Sequence, residues 1–150
     1  SIVSDRAIVD VQRAINQVIS AGCLGYARKP YEIGVELVSR VVFAETTKAQ
    51  VKGEILRVLK ASTVGYLNSL DIGQGLSLDA MALQLNGIDE RVKALGSNPK
   101  TIFDGVFVYY PARLANGGRR REKVIQNSIM IPPHARIIAE TSIDDPVEYR

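Results

Sequence analysis

The sequence predicts an α+β fold: a mixed or antiparallel sheet with two or three helices packed on one face, plus a projecting β-hairpin. Three observations lead there. Apolar residues between Thr47 and Leu70 recur at three- and four-residue steps, the period of a helix that buries one face. Between Tyr31 and Phe43 they alternate with polar residues, the period of a half-buried strand. After residue 100, β-branched and aromatic residues gather in runs cut by glycine and proline, as in antiparallel strands joined by turns. A helix, a strand, two helices and then several strands is an α+β order.

Each element has its own local reason. Ser4 or Asp5 can cap a first helix in which Ile8, Val11, Ile15, Val18 and Ile19 form an apolar stripe, and Gly22 ends it. After Gly25 and Pro30, YEIGVELVSRVVFA reads as one long strand, with Tyr31, Ile33, Val35, Leu37, Val41 and Phe43 on one side and Glu32, Gly34, Glu36 and Arg40 between them. Thr47 and Gln50 have capping-box spacing, which starts a second helix there. Ile55, Leu59, Thr63 and Leu67 lie along its buried face, and Gly73 and Gly75 end it. Ser77 caps a short third helix, with Asp79 near the positive end of its dipole and Leu78, Met81, Ala82, Leu83 and Leu85 as apolar bulk.

The remaining elements are strands. Gly87 to Leu95 is a sparse one, carried only by Ile88 and Val92. TIFDGVFVYYPARL is a stronger one that enters a turn at Asn116-Gly117-Gly118, a sequence suited to positive φ. Its returning arm runs from Glu122 to Ile131 with Val124, Ile129 and Ile131. Pro132-Pro133 breaks the ladder before a last strand, ARIIAETSI, and residues 144–150 read as a polar tail.

Length and composition restrict the function classes. The 150 residues suit a single α+β domain, residues 1–150, cut from a longer protein since the chain does not begin with methionine; residues 1–30 could belong to a neighbouring subdomain. No apolar run approaches the roughly 18 residues of a membrane span, and the first residues lack the basic and apolar blocks of a secretory signal. One cysteine, Cys23, excludes an internal disulfide, and one histidine, His134, leaves no Cys/His zinc cluster. Cys23 suits a small buried apolar role, and His134 a solvated or hydrogen-bonded one. A net charge of +3 from 19 basic and 16 acidic residues describes a nearly balanced surface.

No catalytic pattern stands out, so an enzyme is not expected. Asp89 with Glu90 and Asp144 with Asp145 are sequence neighbours near strand or tail ends, where solvated charge is usual. DIGQGL has neither the spacing nor the following lysine and hydroxyl of a phosphate loop, and it reads as an elbow between helices. The residues that invite a binding role are Arg119, Arg120, Arg121 and Lys123, clustered beside the glycine turn as a basic hairpin tip. A solvated tip is the plain reading. The alternatives are a charge contact with an acidic neighbour and a nucleic-acid-binding module that uses Arg119–Lys123. Tyr109 and Tyr110 are consecutive in a strand and must face opposite ways, so at most one packs on the core side and the other is a candidate contact residue.

The order of elements also carries a resemblance. The first helix with its glycine turn, YEIGVEL, YLNSLDIGQGLSLDAMALQLNGID and the late NSIMIPPHARI resemble the carboxy-terminal part of the baseplate J-like family, wedge proteins of contractile phage tails and related injection machines. The hairpin FVYYPARLANGGRRREK is longer than the turn expected there. The resemblance implies a virion protein of the tail baseplate, assembled in the host cytoplasm. Its partners would be other wedge subunits and copies of itself, in a six-fold ring that changes shape when the sheath contracts. It implies no cofactor; the lack of a long apolar run speaks against a membrane partner, and the scatter of the basic residues outside the hairpin among acids weakens the nucleic-acid reading.

Overall fold

The computed structural model describes residues 4–18, 29–96, 103–112, 120–140 and 147–149. In chain order the elements are α1 (Asp5–Val18), β1 (Tyr31–Ser39), β2 (Val41–Phe43), α2 (Ala49–Asn68), β3 (Leu76–Ser77), α3 (Leu78–Asn86), β4 (Val92–Leu95), β5 (Gly105–Tyr110), β6 (Arg120–Lys123), β7 (Ser128–Ile129), β8 (Ala135–Ala139) and β9 (Val147–Tyr149). The fold is α+β, with a mixed main sheet. β1 is its centre: β5 pairs with it antiparallel on one side, and β8 and then β9 pair with it parallel on the other. β6 adds antiparallel to β5. Two ribbons, β2 with β4 and β3 with β7, lie off this sheet.

One face of the sheet is the core. Ile33, Val35 and Leu37 from β1, Val106 and Val108 from β5, and Ala135, Ile137 and Ala139 from β8 are all buried there. The four-residue repeat of α2 supplies Ile55, Leu59, Thr63 and Leu67 to the same core, as the apolar period requires. A fully buried Leu, such as Leu59 or Leu67, contributes about 1.5–3 kcal/mol of transfer free energy relative to an exposed one. α3 extends the helical layer by packing against α2, β4 and β7. Its cap is the expected one, with the Ser77 hydroxyl accepting from the Ala80 N–H at 3.2 Å.

Several elements differ from the sequence expectation for identifiable reasons. The long strand divides at Arg40, whose N–H donates to Asp104 Oδ2 at 2.6 Å and whose carbonyl accepts from Gly96 N–H at 2.7 Å. Ser39 and Val41 are buried and Arg40 exposed, so the two-residue period runs unbroken while the pairing partner changes. Thr47 is not the cap of α2. Its N–H closes a turn onto the Ala44 carbonyl, its hydroxyl is buried with no hydrogen-bond partner, and Lys48 occupies the cap position without a side-chain bond. α2 ends at Asn68, not at Gly73, and Leu83 is 78% exposed because it lies about 200° around α3 from Met81.

The strands after α3 are shorter and less continuous than expected. Helix takes residues up to Asn86 with Gly87 as its C-cap, so only Val92–Leu95 remains a strand. The returning arm breaks into β6 and β7, which join different sheets. The polar tail contains β9, which covers the part of β1 beyond the end of β8; the Tyr149 hydroxyl lies 2.6 Å from Thr63 Oγ1 on α2. VEY is too short for a period to reveal it. In α1, Ser4 Oγ accepts from Ala7 N–H at 3.1 Å, while Val11, expected in the buried stripe, is 51% exposed. Gly22, Cys23, Asp144, Asp145 and the Asn116-Gly117-Gly118 turn lie outside the described residues.

Candidate protein-contact site

The basic residues sit on a strand. Arg120 to Lys123 form β6, in register with Tyr110 to Phe107 of β5, and the side chains therefore alternate between the two faces of the sheet. Arg119 and the turn before it lie outside the described residues.

Arg121 faces away from the core, beside Phe107 and Tyr109. Its guanidinium carbon lies 3.9 Å from the centre of the Phe107 ring and 5.8 Å from that of Tyr109, and Nη2 lies 3.3 Å from Glu36 Oε1. The Tyr109 hydroxyl donates to the same Glu36 oxygen at 3.1 Å. Tyr109 is only 7% exposed, and its pKa is raised above the ordinary tyrosine value, first by burial and then by the carboxylate of Glu36. A Tyr–Glu–Arg cluster thus closes over the outer face of β1, β5 and β6. Arg121 is half-exposed within it, so the ion pair is worth little beyond the cation–π contact, about 0.5–1 kcal/mol.

Arg120 belongs to the other face. It lies 5.0 Å over the Tyr110 ring and 3.1 Å from Glu122 Oε1. Tyr110 is half-buried and packs against the core. The two tyrosines do point opposite ways, but Tyr109, the one away from the core, is covered by its own neighbours and leaves little surface for a partner. Lys123 is exposed, and no ion pair holds it among the described residues.

Below the core side of β6 lies a groove of about 470 Å³. Val108, Tyr110, Val124 and Ile129 line it together with Glu122 and Lys123. Ile125 and Met130 stand at its rim, 87% and 88% exposed. Two large apolar side chains thus stand open to water beside a groove of mixed polar and apolar lining.

Other residues weighed for chemistry make local contacts. Asp89 accepts from the Arg91 N–H and Nε at 2.9 Å each and from Nη2 at 2.8 Å, a clamp that lowers its pKa to about 2 and leaves it unpaired with Glu90. His134 is exposed, and its carbonyl accepts from Tyr31 N–H at 3.0 Å. Gly73 N–H donates to the Ala135 carbonyl at 2.8 Å, which ties the elbow to the start of β8. Among the described residues no group of three or more His, Cys, Asp or Glu could hold a metal ion, and no helix is long and apolar enough to cross a membrane.

Compared with known proteins, the chain matches no family model, no curated protein and no solved structure.

Sequence reasoning missed Glu36, Phe107, Ile125 and Met130. Glu36 and Phe107 are remote in sequence from the arginine they hold, and only the β1–β5 register, which pairs Glu36 with Phe107, brings them together. Ile125 and Met130 look like ordinary strand residues in VIQNSIM. Their exposure follows from the break between β6 and β7.

Proposed function

We propose that this chain is a structural protein of a contractile tail baseplate wedge, acting through protein contacts in a ring assembly and performing no chemistry. The observation that supports it most is the meeting of two of the segments on which the family resemblance rests. The Gly73 N–H bonds to Ala135 across the elbow, β3 pairs Leu76 with Ile129, and a Cβ on Gly75 would come within 2.6 Å of the Ile129 carbonyl. Gly73 has φ of +79°, a conformation that favours glycine, and Pro133 lies directly against it. DIGQGLS and SIMIPPHA are therefore two halves of one close contact, which is a reason for them to occur together in a related fold.

The nucleic-acid alternative has less support. Arg120 and Arg121 already have Glu122 and Glu36 as counterions, and four clustered cations would give a contact strongly weakened by salt. Sub-micromolar DNA binding that persists at about 200 mM salt would favour that alternative instead.

The assembly reading is tested on particles. An antibody against this chain should label the baseplate end of contractile tails purified from its source, and mass spectrometry should find the chain in those tails. Tails that lack the chain would sink the proposal.

A further inference from the structure

The geometry points to β6 as a docking edge for an extended strand of another protein, one that carries two acidic residues separated by an apolar one. The surface does not depend on the baseplate reading, because it consists of backbone and side chains within this chain.

The phase of the β5–β6 ladder decides which groups are free. Val124 N–H donates to the Val106 carbonyl at 2.8 Å, so by the two-residue repeat of an antiparallel pair residues 120, 122 and 124 turn their N–H and C=O toward β5. Arg121 and Lys123 turn theirs outward. No strand pairs with β6 on that side among the described residues. An added strand would bond to these groups, and the residues opposite Arg121 and Lys123 would carry side chains on the same outer face. A carboxylate opposite Lys123 meets a cation with no ion pair among the described residues, and one opposite Arg121 meets a half-exposed guanidinium that it shares with Glu36. The residue between them faces the opposite way, onto the groove of Ile129, Tyr110 and the exposed Ile125 and Met130.

The basic side chains also count against a second copy in the register centred on Glu122. If β6 paired with itself about a two-fold axis at Glu122, each Arg121 would stand opposite the copy's Lys123, and like charges in that position are destabilising. A charged edge can serve only to prevent aggregation, but such an edge has no need of two large apolar residues left in water beside it.

The test uses the full chain and three labelled peptides of equal length, read by fluorescence anisotropy: alternating Glu-Val, alternating Lys-Val, and a Glu/Val peptide of the same composition with its glutamates in one block. The alternating acidic peptide should bind saturably in the micromolar range, and the other two at least tenfold more weakly, roughly one 1.4 kcal/mol step. Lys123→Pro removes an outward N–H without touching the bonds to β5 and should reduce binding at least about tenfold. Met130→Asp, at an 88% exposed site, should weaken binding with no loss of fold, which keeps the test decisive if the proline variant unfolds. Equal binding of the acidic and basic peptides, equal binding of the blocked peptide, or no saturation by about 1 mM would each overturn the proposal. So would a dimer in sedimentation equilibrium that Lys123→Pro abolishes, since the occupant would then be a second copy.

Discussion

The two edges of the main sheet are finished in opposite ways. At β8 the chain closes its own edge: the Asn68 side chain accepts from Ala139 N–H at 2.9 Å, the Gly73 N–H donates to the Ala135 carbonyl at 2.8 Å, and Arg136 reaches the Asn68 carbonyl at 3.2 Å. At β6 the outward groups of Arg121 and Lys123 meet no strand among the described residues, and only charge guards them. Unpaired backbone is tolerable in water and costly when buried. The closed edge therefore belongs to the folding of the domain, whereas the open edge can be changed at little cost to stability. That difference yields a graded set of expectations.

The largest effect is expected where α2 lies across the closed side. Leu59 is fully buried, and Leu59→Ala should cost about 2–5 kcal/mol in urea denaturation because the vacated volume collapses only in part. A loss under about 0.5 kcal/mol, the range of ordinary surface changes, would mean that α2 does not cover the sheet. Next comes Asn68→Ala. It leaves Ala139, itself fully buried, with an unsatisfied N–H and should cost about 1–3 kcal/mol.

Tyr149 sharpens the comparison at the junction of β9 and α2. Burial pushes its pKa up to about 12, above the ordinary value of 10. The protonated phenol is thus favoured in the folded state, so its contribution is complete below about pH 10 and is lost as pH rises from 10 to 12. Tyr149→Phe should cost about 1 kcal/mol at pH 7, as the loss of one hydrogen bond does, and should flatten that part of the stability profile. An unchanged slope above pH 10 would show that β9 is not docked.

Legibility in the sequence follows the same division. α2 was readable because its apolar residues repeat at helical spacing over many turns, and the short α3 because the Ser77 cap and the apolar bulk behind it are local. Strand partners were not readable: the period of two through Arg40 is the same whether the chain stays in one sheet or crosses to another. β9 was missed because three residues carry no period, and its docking depends on Thr63, 86 positions earlier in the chain. At the candidate site the basic cluster was visible as composition. Its division between two faces needed the β5 register, and the contact of Arg121 with Glu36 needed β1 as well.

The smallest effects belong to the open edge, and there the arginines and the lysine should part company. Arg121→Ser removes a guanidinium stacked at 3.9 Å on Phe107 and should cost about 0.5–1 kcal/mol, mostly from that contact. Lys123→Ser removes an exposed charge with no ion pair among the described residues, and its cost should stay within about 0.5 kcal/mol. The two side chains lie two residues apart on the same face and carry the same charge, but Arg121 also pairs with Glu36, so the response to salt and not the size of the loss tells charge from packing. Thermal midpoints measured at low and high salt separate the cases. The Arg121 loss should persist in salt because ring contact and packing carry it, while any Lys123 effect should vanish. An Arg121 loss that disappears in salt would mean that Arg121 contributes only its charge, and that its stacking on Phe107 adds nothing to the fold.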